Sequence, residues 1–284
     1  MKTSVIIPTI GRPAQLASAL ASLAACRPCA DEIVIVDQSQ GTETGRVIEQ
    51  FTANGARRIR CDGRGIGLAI NAGLRAASYD FVLITNDDCT VAGDWVAVAI
   101  QELAHHHLSI VTGSVLPVGD SRFVPSLKQQ PLPGDYTGSV DDGALYGANM
   151  AASRTELLDI GGFDERITPS AEDNDLCYRW LKSGRSLFYQ PAMLIWHRDW
   201  RTPAELRILH RRYGEGQGMF YAKHLAAGDW TMLRFLLRDL RACGPAAVRA
   251  LCRGRRPPDW SEGTLLGLPV GLARGLRTYV GSRS

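Results

Sequence analysis

The sequence predicts an α/β fold: a mostly parallel central sheet flanked by helices, with a helical C-terminal extension. Three observations carry this. Apolar runs without polar alternation recur at residues 4–8, 32–37 and 80–85. Helical stretches separate them. From Pro203 onward the pattern is helical and rich in arginine. Strands that are apolar on both faces need helices on both sides, and helix-separated strands pair in parallel.

The elements follow in order. Residues 4–8 form a buried strand, and residues 13–25 an Ala/Leu-rich helix with Pro13 in its first turn. Residues 32–37 are a second strand, 42–53 a helix and 56–61 a third strand. A helix over 68–78 leads into a fourth strand at 80–85. A helix from 93 to about 106 precedes a strand at 108–116. Residues 118–143 hold Gly, Pro, Ser and Asp without periodicity and read as a long loop, which in a compact domain is usually functional or mobile. Residues 146–152 read as a strand, and Ser153 caps a short helix that ends at Gly161-Gly162. A helix runs from about 171 to 184, and short strands at 187–189 and 193–196 follow. Ligands of such sheets bind beyond the carboxyl ends of the strands. That directs attention to Pro8, Thr9, Asp37, residues 62–67 and Asn86-Asp87-Asp88.

Composition sets the outer limits. The chain has 284 residues, 45% hydrophobic and 21% charged, enough for one cored α/β domain with an appendage. A net charge of +3 is too small to argue for a nucleic-acid partner. No apolar run reaches the ~20 residues of a membrane span. Cysteine is present at an odd count of 7, and the chain opens directly into a strand. The expected setting is therefore the reducing cytoplasm. Cys26-Arg-Pro-Cys29 has redox or zinc spacing, but no second pair completes a zinc site.

Three clusters could carry chemistry. Asn86-Asp87-Asp88 closes a buried strand, where clustered carboxylates repel unless a cation neutralises them; the pattern fits a hard metal shared with a diphosphate, and it also fits a solvated turn. Glu172-Asp173-Asn174-Asp175 opens a helix, where acids favour the positive dipole end; one of them could equally serve as a general base. His197 ends the strand of Trp196 and could complete a metal site begun by Asp88, or be structural. Gly63, Gly65, Gly67 and Gly73 surround a strand-to-helix turn with Arg64 between them, out of register for a dinucleotide fingerprint. Residues 8–12 are too thin for the basic, glycine-rich phosphate loop of a nucleotidyltransferase.

Seven segments together resemble glycosyltransferase family 2, whose enzymes have the GT-A fold and invert configuration. They are Val5-Ile-Ile-Pro-Thr9, Ile33-Val-Ile-Val-Asp37, Gly67-Leu-Ala-Ile-Asn71-Ala-Gly73, Thr85-Asn-Asp-Asp88, Gly147-Ala-Asn149, Gly161-Gly-Phe-Asp-Glu165 and Glu172-Asp173. The resemblance implies a GT-A catalytic domain over 1–200, with a donor half at about 1–116 and an acceptor half at about 144–200; 201–284 is a helical C-terminal region. It implies that Pro8, Thr9, Asp37, Arg64, Asn71, Asn86 and Asp87 bind the nucleotide sugar. Asp88 and His197 would hold Mn²⁺ or Mg²⁺, and Asp173 would be the base. Asn149, Glu172 and Trp196 are acceptor-side candidates. Asn86 stands where the family's DXD motif has its first acid. Leu176 stands where processive relatives have a glutamine, so single-sugar transfer is expected. The implied donor is a UDP-, dTDP- or GDP-linked sugar, and the acceptor a glycan or lipid.

Between Arg234 and Arg256 seven arginines oppose Asp239 alone, with apolar residues at helical spacing. Such a region could lie on an anionic membrane, at the inner face of the plasma membrane, or pack on the catalytic domain. The glycines of residues 211–218 suggest a helix junction, with a phosphate or acceptor contact as the alternative. Trp196 and Trp200 could form a sugar-stacking wall or lie in the core.

Overall fold

The computed structural model describes residues 1–121, 124, 127–136, 145–198 and 201–281. The chain folds as two compact units, Met1–Phe163 with Leu176–Trp200 and Asp164–Asp175 with Arg201–Ser284. Of the loop expected at 118–143, residues 122, 123, 125, 126 and 137–143 lie outside the described residues, as does Trp200.

The first unit is built on a mixed sheet. Strands β1 (Thr3–Thr9), β2 (Glu32–Asp37), β3 (Ala56–Arg60) and β4 (Phe81–Thr85) run parallel in the order β3-β2-β1-β4. Beyond β4 come β8 (Asn149–Ser153), antiparallel, then β6 (Ser109–Val118) and β9 (Ser186–Arg198), parallel to each other. The short strands β5 (Cys89–Val91) and β7 (Gly134–Tyr136) pair antiparallel with β9.

Two strands expected at 187–189 and 193–196 are thus one. Residues Gln190-Pro191-Ala192 do not end β9, because β6 absorbs the irregularity in a register shift between Gly113 and Val115. A Cβ on Gly113 would lie 1.9 Å from the Met193 carbonyl oxygen, so only glycine permits the approach.

Helices α1 (Pro13–Ala24), α2 (Glu43–Glu49) and α4 (Trp95–His105) cover one face through Leu16, Leu20, Leu23, Ile48, Trp95 and Val96. Helix α3 (Ile66–Ala76) covers the other, so close that a Cβ on Gly73 would meet Ile6 Cγ2 at 2.4 Å. Each fully buried Leu or Ile contributes roughly 1.5–3 kcal/mol. Parallel register sets Thr9 beside Asp37, and Asp37 beside Arg60, at the carboxyl edge. Ser153 accepts from the Glu156 amide and caps α5 (Arg154–Asp159).

The second unit holds α7 (Pro203–Ala226), α8 (Thr231–Cys252) and α9 (Asp259–Val280). The glycines expected to interrupt a helix at 211–218 do not; α7 runs through them. A Cβ on Gly214 would meet the Gly263 carbonyl at 2.7 Å, and one on Gly271 the Glu215 carbonyl at 1.9 Å. Glycine costs about 1 kcal/mol in a helix interior, and direct backbone packing of α7 on α9 offsets it. Thr202 and Glu205 form a capping box at the start of α7.

Residues 164–175 are tied to these helices by buried charge. Lys223 Nζ lies 2.9 Å from Asp164 and 2.8 Å from Asp175, and His224 Nε2 lies 2.9 Å from Asp175. Burial alone would raise the Asp164 carboxyl, but hydrogen bonds from Arg166 and Lys223 hold it well below the ordinary value.

Candidate active site

The carboxyl edge of the sheet gathers acids around one guanidinium. After β1, Gly11 adopts φ +64° and donates its amide to Ser39 Oγ at 2.8 Å. That left-handed residue turns the chain into α1 and leaves Arg12 at the helix cap. Arg12 Nε donates to Asp87 Oδ2 at 3.0 Å, and Nη1 to Asp88 Oδ2 at 3.0 Å. Nη2 meets Asp87 Oδ1 at 2.6 Å, a charge contact outside hydrogen-bond angles. Thr9 Oγ1 donates to Asp87 Oδ2 at 2.6 Å. Burial pushes the Asp87 carboxyl up to about 6; Arg12 opposes the rise and the Asp88 charge adds to it.

Asp88 also faces β9. His197 Nε2 lies 3.5 Å from Asp88 Oδ2, both side chains being 3% exposed. The pairing of β5 with β9 sets His197 opposite Cys89 and so brings this about. Tyr146 Oη lies 3.0 Å from His197 Nδ1 and fixes the ring. No hydrogen bond reaches the buried Nε2 among the described residues. Asp88, Cys89 and His197 each place a ligand atom within 4.8 Å of the others. Burial, then the Asp88 and Asp87 charges, raise the Cys89 thiol well above its ordinary value, so it is a poor ligand beside the other two. An orphaned imidazole nitrogen aimed at a buried carboxylate fits a divalent cation. Asn86 Oδ1, beside them, is buried without a hydrogen bond.

Along the edge formed by β1 and β2, Pro8 lies buried in β1 in register with Val36. Asp37 is fully buried; its Oδ1 accepts from the Ser39 amide at 2.8 Å, and Arg58 Nε donates to Oδ2 at 2.8 Å. Arg64 is exposed in the β3–α3 turn. Asn71 is elsewhere. Its Nδ2 donates to the Phe163 carbonyl at 2.8 Å, and its Oδ1 accepts from the Phe163 amide at 2.9 Å. The expected nucleotide-sugar contact gives way to a bracket on the turn at Gly161-Gly162. Arg179 braces the same turn by donating to the carbonyls of Ile160 and Gly162 at 2.6 and 2.5 Å.

Asn149, expected on the acceptor side, is sealed inside the sheet. It accepts from Trp95 Nε1 at 2.9 Å and donates to the carbonyls of Ser114 and Met193 at 3.0 and 2.7 Å. With its amide satisfied and no exposed surface, it braces β6, β9 and α4. Trp196 is half-buried on β9, opposite Thr90 of β5.

The second unit contains Glu172 and Asp173, in the first turn of α6 (Glu172–Lys182). Ala171 before them has φ +69°, a left-handed conformation unfavourable for a residue with a Cβ. Burial, then the charge of Asp173, raises the Glu172 carboxyl well above its ordinary value, and its Oε2 has no hydrogen bond. Asp173 is partly exposed, and its Oδ1 accepts from the Asn174 amide at 2.9 Å.

Sequence reasoning missed Arg12, Tyr146, Arg58 and Cys89. Cys89 could have been marked by its place next to the acid pair, and Arg12 by its place one turn after β1. Nothing local marks Tyr146 or Arg58.

Comparison with known proteins gives one family and a consistent fold. The family description Glycosyl transferase family 2 matches residues 4–154. A pre-mycofactocin glycosyltransferase of Mycobacterium tuberculosis is 28% identical over 156 residues, 48% of this chain and 32% of that protein. A glucosyl-dolichyl phosphate glucuronosyltransferase of Haloferax volcanii is 23% identical over 204 residues, 65% of either chain. The chain therefore spans about a third of the first relative and less than two thirds of the second. Among solved structures, the mannosyltransferase PcManGT of Pyrobaculum calidifontis, in complex with GDP-Man and Mn²⁺, superimposes with a TM-score of 0.60 at 18% identity. It covers 99% of this chain and 73% of its own.

Proposed function

The chain belongs to glycosyl transferase family 2, and on that premise we propose that it moves a single sugar from a nucleotide-diphosphate sugar to an acceptor hydroxyl with inversion. The observation that carries this is the buried Asp88–His197 pair at the ligand edge of the sheet. Those two side chains would hold Mn²⁺ or Mg²⁺. When bound, such a cation supplies positive charge for the departing diphosphate. The Mn²⁺ in the PcManGT structure supports this choice, and the imidazole leans it toward Mn²⁺.

The chain's own residues do the rest. Thr9 and Arg12 hold Asp87 rigid, so Asp88 is presented from a fixed turn between β4 and β5. Asp37 with Arg58, and Arg64 in the adjacent turn, would contact base and ribose, with Pro8 and Asn86 lining the same edge. Asp173 would accept the proton of the attacking hydroxyl at Oδ2, leaving Oδ1 on the Asn174 amide. The attacking oxygen then bonds the anomeric carbon as the diphosphate leaves from the opposite face. Glu172 and Trp196 would face the acceptor. Transfer of one sugar rather than a polymer follows from Leu176 standing where processive relatives have glutamine.

The C-terminal helices bear on the acceptor. No helix among the described residues is long and apolar enough to cross a membrane. Helix α8 has three sectors at helical spacing. Met232, Cys243 and Ala247 pack inward; Leu233, Leu237, Leu240, Val248 and Leu251 are exposed; Arg234, Arg238, Arg241 and Arg249 adjoin them. A lipid surface with anionic headgroups matches both outer sectors at once. The name of the Haloferax relative, acting on a dolichyl phosphate, agrees with a lipid-linked acceptor.

Two experiments test the reading. A panel of UDP-, dTDP- and GDP-sugars should yield one class that raises Tm only with Mn²⁺ or Mg²⁺ and is turned over; a folded protein that neither binds nor hydrolyses any donor is not a transferase. Sedimentation with phosphatidylcholine vesicles should leave the protein in solution, whereas vesicles containing phosphatidylserine should carry it down. Equal behaviour with both removes the lipid contact.

A further inference from the structure

We propose that Arg12 is the internal counter-ion of the metal-free site and that it passes to the diphosphate of the donor when a divalent cation takes Asp88. This deepens the function proposed above and rests on it for the diphosphate half alone.

Asp88 Oδ2 is shared: Arg12 Nη1 lies 3.0 Å from it on one side and His197 Nε2 3.5 Å on the other. A cation seated between Asp88 Oδ2 and His197 Nε2 therefore takes an oxygen that Arg12 already uses. The remaining guanidinium nitrogens engage Asp87, which Thr9 holds independently. Withdrawal of Arg12 would thus leave Asp87 fixed and Asp88 available.

Exposure and charge point the same way. The Arg12 side chain is 24% exposed, while the carboxylates it meets are 0% and 3% exposed. It is the solvent-facing member of the cluster. Its backbone, at φ −128° and ψ 58°, sits outside the helix that follows, and Gly11 precedes it in a left-handed turn. Arg12 faces two carboxylates, and a bound divalent cation neutralises that charge. The guanidinium then loses its hold on the site at the moment a dianionic diphosphate is drawn in. Its planar fork suits phosphate oxygens as well as it suits carboxylates.

The two halves predict opposite signs for one substitution. By calorimetry, Arg12→Met should bind Mn²⁺ alone several-fold to about tenfold more tightly than the natural protein. With Mn²⁺ saturating, the same variant should bind UDP and GDP about tenfold more weakly, whichever nucleotide the natural protein prefers. Arg12→Lys, unable to span both acids, should share the tighter Mn²⁺ binding and recover part of the nucleotide affinity. It carries the test if Arg12→Met does not fold. Weaker or unchanged Mn²⁺ binding in the variants would make Arg12 a static clamp and overturn the proposal, as would unchanged nucleotide affinity. If the natural protein binds Mn²⁺ but none of UDP, dTDP and GDP, the transferase reading fails, and the Mn²⁺ comparison still decides whether Arg12 is the counter-ion.

Discussion

His197 Nε2 faces Asp88 Oδ2 at 3.5 Å, and Tyr146 Oη holds the opposite ring nitrogen at 3.0 Å. The imidazole thus stands between a carboxylate and a phenol, and the phenol fixes the ring of the proposed ligand. Groups that orient a metal ligand typically contribute 10–100-fold in metal affinity. Tyr146→Phe should therefore weaken Mn²⁺ binding by about tenfold with little change in Tm. Calorimetry against Mn²⁺ checks this, and unchanged affinity would leave Tyr146 as packing only.

Asn71 makes both its hydrogen bonds to the Phe163 backbone inside the protein. Asn71→Ala strands a buried N–H and a buried carbonyl, each costing roughly 1–3 kcal/mol. Denaturant unfolding should show a loss of about 2–4 kcal/mol. Donor KM should hold in the folded fraction, because the side chain braces a turn. A raised KM with normal stability would restore Asn71 to the donor site.

Glu172 carries the pH dependence. Burial raises its carboxyl above the ordinary value, so the folded state keeps a proton that the unfolded chain releases above about pH 4.3. Its stabilising contribution is complete below that pH and falls as pH rises toward the folded value. Glu172→Gln, which never ionises, should have the higher Tm at pH 8, and the gap should close as pH falls below about 5. Thermal melts across that range decide it; a gap that widens in acid contradicts the sign.

Asp173→Asn keeps the shape of the first turn of α6 and removes the proposed base. Nucleotide-sugar binding should persist while turnover falls by about 10²–10⁴-fold. Single-turnover kinetics with saturating donor separates the two. Turnover within a few-fold of normal would exclude Asp173 from proton transfer.

Much of the first unit was legible because its signals are local. Apolar runs at Val5–Ile7 and Ile33–Val36 mark strands buried on both faces, and the end of a strand marks where Asp88 must lie. The bracket of Asn71 on Phe163 joins residues 92 apart in sequence, and Asn149 reaches three partners on other elements. Neither is visible to periodicity, so both asparagines were expected at ligands. The glycines of α7 misled for a related reason. Glycine breaks an isolated helix, yet Gly214 and Gly218 serve a helix packed backbone to backbone on α9. Arg12 was overlooked because a lone arginine after a strand carries no pattern until the fold sets two carboxylates before it.

The most direct test is the affinity of UDP and GDP for Asp88→Asn, with Mn²⁺ and with EDTA. The natural protein should bind one nucleotide at least tenfold more tightly with Mn²⁺, and Asp88→Asn should lose this metal dependence while keeping its Tm within a few degrees. Equal Mn²⁺ dependence in the two proteins would contradict a cation held by Asp88 and His197.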